Sequence, residues 1–240
     1  MRNDKRQMTK GKWFLLATIL CLITASSVFA QTPTQPPAQT PAPPDFQSVI
    51  ARQASLVSEF DINGLKVLVK RREGSQTVAV QLYIRGGVEN VTATNAGVEA
   101  FMLNVASEAS AGYPRDRMRK ELARMGTAIG ESVSYDYSAL AMAATRTNFD
   151  KSWDIFADVA TNPAFTKEDV DLVKTRLVAS LSGDTDEPDT YLQRLQEKVA
   201  YAGHPYLNRP EGTAETISKL TAEDLRAFTR ESCRRRGCCW

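Results

Sequence analysis

The sequence predicts an α+β domain, with a mostly antiparallel sheet and helices packed on one face. Two observations carry that expectation. Apolar segments of period two come in adjacent pairs, and each pair is followed by two segments of period 3.6. No cysteine stands between Gln31 and Ser232, so neither a disulfide framework nor a thiolate metal site replaces a hydrophobic core. The 240 residues have room for one large domain or two small ones.

Taken in order, residues 1–30 read as a secretory signal peptide. Arg2, Lys5, Arg6, Lys10 and Lys12 precede the apolar run Trp13–Ile23, and Val28-Phe29-Ala30 suits cleavage before Gln31. The run to Ala30 holds Thr18, Thr24, Ser26 and Ser27, too short and polar for a stable span. Cys21 lacks the small-residue context of a lipid anchor. The mature chain is thus expected to be secreted, into a bacterial periplasm. Cleavage removes five of the 30 basic side chains and one of the 28 acidic ones, leaving 25 against 27. No basic run with interleaved aromatics remains, which argues against a nucleic-acid partner.

Residues 31–55 are expected to be a linker. Gln31–Asp45 is a Pro/Gln/Thr tract that stays semi-extended, and the composition turns globular from Phe46. A folded domain is expected over 56–231 and an atypical Cys/Arg tail over 232–240. Within the domain, Asn63-Gly64 makes a hairpin connection, and Leu65–Lys70 and Thr77–Ile84 alternate as half-buried strands. Arg85-Gly86-Gly87 ends the second strand. In Gly97–Ala109, Val98, Phe101, Met102, Val105 and Ala109 repeat as one buried helical face, with Asn95 placed to cap it. Pro114 opens a helix that Gly126 stops. Strands are expected over Thr127–Val133 and Tyr137–Thr147. A helix over Phe149–Thr161 follows, capped by Asn148, with Trp153, Phe156, Ala157 and Ala160 on one face. Thr166-x-x-Asp169 opens a helix through Leu181, Asp189 one to Tyr201, and Thr221 a last one through Arg230.

This order of elements, with these words, resembles the N-terminal domain of insulinase/pitrilysin-type metallopeptidases. The words are Ile84-Arg85-Gly86-Gly87, Gly97-Val98, Asn162-Pro163-x-Phe165, Glu187-Pro188, Gly203-His204-Pro205-Tyr206 and Leu220-Thr221-x-x-Asp224-Leu225. Together they cover about residues 56–230. Active members carry His-x-x-Glu-His on the first helix. Both His bind Zn²⁺, the Glu is general base, and a carboxylate from a later helix is the third ligand. The resemblance puts the first ligand at Ala100, the base at Leu103, the second ligand at Asn104 and the third at Ser180. Ala and Leu have no donor atom, and Asn and Ser are poor neutral ligands. His204 is the only His of the chain, so no shift of register restores the set. No catalytic, metal or cofactor residue is therefore expected, although active relatives need zinc.

Other residues weigh towards ordinary roles. His204 could meet a substrate but reads as a structural loop residue. Glu99 could meet a basic substrate in a cleft but suits a helix start, favoured by the dipole; Glu108, also near the helix, has no partner His. Asp184, Asp186, Glu187 and Asp189 lack the spacing of a Ca²⁺ loop. Tyr135 and Tyr137 suit sheet packing.

The family follows Leu220…Phe228 with an apolar strand that completes the sheet. Here Ser232–Trp240 is rich in Arg and Cys, so the sheet is expected to lack its last strand, and a frameshifted or shortened reading frame would explain it. By the resemblance, the chain is expected to be the inactive half of a clam-shell assembly, pairing with an active insulinase/pitrilysin-type subunit around an unfolded peptide. The alternatives are a fragment without independent function and, last, a zinc peptidase with an unrecognised metal site.

Overall fold

A computed structural model describes residues 45–183 and 187–236. The expected signal peptide, the Pro/Gln/Thr tract before Asp45, Asp184, Asp186 and residues 237–240 lie outside the described residues. The chain divides into two compact units, Met1–Ser55 and Leu56–Trp240. In the first, helix α1 (Phe46–Ala54) starts at Asp45, whose carboxylate accepts from the Gln47 and Ser48 amides. The end of the expected linker is thus helical.

The second unit opens with β1 (Val57–Ile62) and β2 (Leu65–Lys70), antiparallel and in a sheet of their own. Asn63 and Gly64 both take positive φ (54° and 87°), the turn whose twist matches a two-residue hairpin. The alternation of Ser58, Phe60 and Ile62 carries β1 up to it. β3 (Thr77–Arg85) pairs antiparallel with β5 (Tyr137–Thr145), which pairs with β4 (Ala128–Val133). Helices α2 (Val98–Ala106), α3 (Arg115–Met125), α4 (Phe149–Thr161), α5 (Lys167–Ser182), α6 (Pro188–Ala200), α7 (Ala214–Lys219) and α8 (Ala222–Arg236) make up the rest. Short α7 went unseen in the sequence. α8 runs six residues past Arg230, so the start of the Arg/Cys tail is helical.

Helices cover one face of the three-stranded sheet, in two clusters. Val80, Leu82, Ile129, Leu140 and Met142 meet Met118 of α3 and Ile155, Phe156 and Val159 of α4. Ile84 and Val133 lie against a second cluster, in which α2 supplies Val98, Phe101, Met102, Leu103 and Val105. Val170 and Val173 of α5, Ile217 of α7, and Leu225 and Phe228 of α8 complete it. The α+β class and the one-sided helical layer are as the sequence predicts.

Three local readings are corrected. Asn95 does not cap α2; its side-chain oxygen accepts from the Thr92 amide and hydroxyl, and Gly97 holds the N-cap position. Asn148 precedes α4 without a capping bond, because its amide donates to the Met125 carbonyl instead. The buried face of α4 is Ser152, Ile155, Phe156, Val159 and Ala160, about a quarter-turn from the expected stripe. Trp153 is left 45% exposed, stacked between Phe149 and Phe156.

Candidate functional site

The site the sequence singles out is α2, and its start is fixed by a backbone contact. Gly97 has φ +86°, and a Cβ there would lie 2.6 Å from the Glu211 carbonyl oxygen and 2.7 Å from Gly212 Cα. The segment before α7 therefore rests directly on the N-terminus of α2. A side chain at Gly97 would meet both a left-handed backbone and a fixed neighbour. That contact was not legible, since its two partners are more than a hundred residues apart.

Every residue of α2 except Asn104 is buried. Ala100 presents only a methyl group at the expected first-ligand position. Leu103, at the base position, is 2% exposed and packed in the core cluster with α5 and α8. Asn104 is half-buried, and its amide donates to the Ala100 carbonyl at 3.0 Å, within its own helix. α5 does pack beside α2, through Val170 and Val173 with Leu177, Val178 and Leu181 against the same cluster, and Ser180 is exposed. Two aliphatic groups, an amide already engaged and an exposed hydroxyl do not fit a zinc ion. Among the described residues, no cluster of three or more His, Cys, Asp or Glu is placed to hold a metal.

The charged residues near α2 tie helices together. Glu108 faces Arg119 of α3 and Arg176 of α5, and Asp169 at the start of α5 meets Arg115 at 3.1 Å. Glu99 is 4% exposed, lining a cavity of about 10 Å³ beside Gly87, Ser134 and Pro210. The space is that of one water molecule, so Glu99 is not a cleft residue open to a basic substrate.

His204 belongs to an aromatic group the sequence did not assemble. Tyr135, Tyr201 and Tyr206 have ring centroids 4.8–6.1 Å apart, with the His204 ring 4.6 Å from Tyr206. His204 Nδ1 accepts from the Tyr206 amide, which makes it a turn residue. The Tyr206 hydroxyl donates to Asp136 at 2.5 Å, and that bond raises the Tyr206 pKa. Burial raises the Tyr135 pKa, helped by Glu197 and Glu211. These rings pack tilted or edge-on against one another. Tyr137 packs edge-on to Tyr83, on the sheet face away from the core.

Residues 66–213, more than half of the chain, match the family described as insulinase (peptidase family M16). The chain belongs to that family. Among its M16 relatives is cytochrome b-c1 complex subunit 1 of Caenorhabditis elegans, 24% identical over 77% of this chain and 42% of the relative. The mitochondrial-processing peptidase subunit alpha of Solanum tuberosum is 24% identical over 80% of this chain and 37% of its own length. A solved peptidase M16 inactive domain from Pseudomonas fluorescens superposes with a TM-score of 0.65 at 21% identity, over 72% of this chain and 42% of that one. The chain thus spans under half the length of these relatives. Among the described residues, no helix is long and apolar enough to cross a membrane.

Proposed function

We propose that this chain is a non-catalytic M16 subunit that stabilises an active M16 peptidase and helps enclose unfolded peptide substrates, secreted into a bacterial periplasm. The observation that carries the reading is the closure of the motif face. A hydrolytic zinc keeps one coordination position open for water. Here Leu103 stands at the base position at 2% exposure, inside the core. The scaffold helix packs as a structural element, with no donor set beside it among the described residues.

Relatives named as a subunit of the cytochrome b-c1 complex and as the alpha subunit of the mitochondrial-processing peptidase support a paired role. The export signal read from residues 1–30 supports the periplasm. The test is co-expression with an intact His-x-x-Glu-His chain, followed by co-purification, zinc analysis and a peptide-hydrolysis assay. The expected result is a complex in which zinc and hydrolysis depend on the partner's motif. Stoichiometric zinc together with hydrolysis by this chain alone overturns the reading.

A further inference from the structure

The turn that closes the β1–β2 hairpin carries the single Asn-Gly dipeptide of the chain; none of the other seven asparagines precedes a glycine. An asparagine side chain can be attacked at Cγ by the backbone nitrogen of the residue that follows. A glycine there offers that nitrogen with no Cβ to shield it. Residues 61–64 are all exposed, and a Cβ built on Gly64 would have no atom within 4 Å. Water therefore reaches the dipeptide.

Two features of the turn oppose that attack. Ring closure needs Asn63 Cβ and the Gly64 nitrogen nearly eclipsed about the Asn63 Cα–C bond. Asn63 and Gly64 have φ of 54° and 87° and join Ile62 to Leu65, the last pair of the ladder. Positive φ at both positions marks a type I′ turn, the mirror image of type I, with ψ of about +30° at its first central residue. In an L residue this ψ turns the following nitrogen nearly opposite Cβ. The second feature is a hydrogen bond: the Gly64 N–H donates to Asp61 Oδ1 at 2.9 Å. The nitrogen must shed that proton before it attacks. The carboxylate both holds the proton and repels the amide anion that its loss would create.

We propose that Asn63 is a site of hydrolytic deamidation that the folded turn holds in check, with the Asp61 carboxylate as the brake. In the step, the Gly64 nitrogen gives its proton to solvent and bonds to Asn63 Cγ, and the side-chain nitrogen leaves that carbon as ammonia. Water then opens the five-membered succinimide at either of its carbonyls. One opening leaves aspartate at position 63. The other leaves isoaspartate, which routes the backbone through the side chain and makes it one carbon longer. Loop length fixes the register of a hairpin, so isoaspartate in a two-residue loop removes the Ile62↔Leu65 closure. This chemistry lies within four residues and is independent of the subunit role proposed above.

The test incubates the full chain at neutral pH and counts aspartate and isoaspartate at position 63 by peptide mass spectrometry. The expected rate is at least about tenfold below that of the same chain unfolded in urea, because attack waits for local opening of the turn. Asp61→Ala frees the Gly64 N–H and should speed conversion of Asn63 by about three- to tenfold, the scale of an exposed hydrogen bond to a charged group. Asp61→Asn keeps an oxygen acceptor without the charge, so its rate should fall between those of the parent chain and Asp61→Ala. The Arg71 amide, which donates to the Leu56 carbonyl, reports whether the hairpin stays closed in each variant. Should Asp61→Ala lose exchange protection at Arg71, Asp61→Asn decides: faster conversion with Arg71 still protected supports the proposal, and an unchanged rate overturns it. Conversion in the folded chain as fast as in urea, or no gain in a closed Asp61→Ala hairpin, also overturns it.

Discussion

Helix α2 and the β1–β2 hairpin are both rich in apolar residues, yet the fold treats them in opposite ways. In α2, eight of nine residues are buried. In the hairpin none is, and Phe60 and Leu68 are 51% and 61% exposed. The difference lies in neighbours. α2 is surrounded by β4, β5, α5, α7 and α8, so its apolar groups find partners within the chain. Among the described residues, the hairpin's apolar groups join neither core cluster. One apolar segment organises the domain, and the other is presented outward.

The comparison breaks first at Phe101. Phe101→Ala should lower stability by about 3–5 kcal/mol, because the ring is fully buried at the centre of the cluster and the site cannot collapse around the gap. Urea unfolding with an unchanged m-value measures it. A loss below about 1 kcal/mol, the scale of a tolerated core swap, would mean that α2 is not the centre of the core. Gly97→Val should come next, at about 2–3 kcal/mol, combining a left-handed backbone with a Cβ 2.6 Å from the Glu211 oxygen. Gly97→Ala should recover only a small part, since the clash is with Cβ itself.

How much of this was legible follows from how local each signal is. The spacing of Val98, Phe101, Met102 and Val105 announces a buried helix, because helical period depends on a few adjacent residues. Gly126 and Thr166 stand where their backbone and hydroxyl act, at the end of α3 and the start of α5. Asn95 and Asn148 misled for a physical reason. A side-chain amide at a helix start has competing local and tertiary partners, and Thr92 and the Met125 carbonyl won. The absent donor atoms at Ala100 and Leu103 could be read from the letters. The seating of residues 211–212 on Gly97 and the aromatic packing around Tyr206 could not, for both join segments far apart in sequence.

Asp158 sharpens the comparison on the buried side, with a smaller effect. Burial raises its pKa, but the Asn162 side-chain amide at 2.9 Å and the Gly112 N–H at 2.8 Å, which both donate to its carboxylate, help to offset it, and the net pKa is lowered. A carboxylate depressed in the folded state stabilises fully above its unfolded pKa, near 3.9, and that contribution is lost as pH falls through the folded value. Asp158→Asn should cost about 1–2 kcal/mol at neutral pH and should flatten the acid limb of the stability curve below about pH 4. A variant that loses stability equally at pH 7 and pH 3 would assign the effect to packing and not to charge.

The hairpin should give the smallest response. Phe60→Ser removes a ring that is half in solvent and touches no core cluster, so stability of the isolated chain should change by about 0.5 kcal/mol or less. The same substitution takes an aromatic group from the exposed apolar face. It should therefore lower the tendency to self-associate, read as sedimentation against concentration at fixed salt. A Phe60→Ser loss as large as that of Phe101→Ala would show that the hairpin is held by the domain, and the contrast between the two segments would collapse. A small loss with weaker self-association would separate them fully: one segment makes the fold, and the other is exposed apolar surface that the fold does not use.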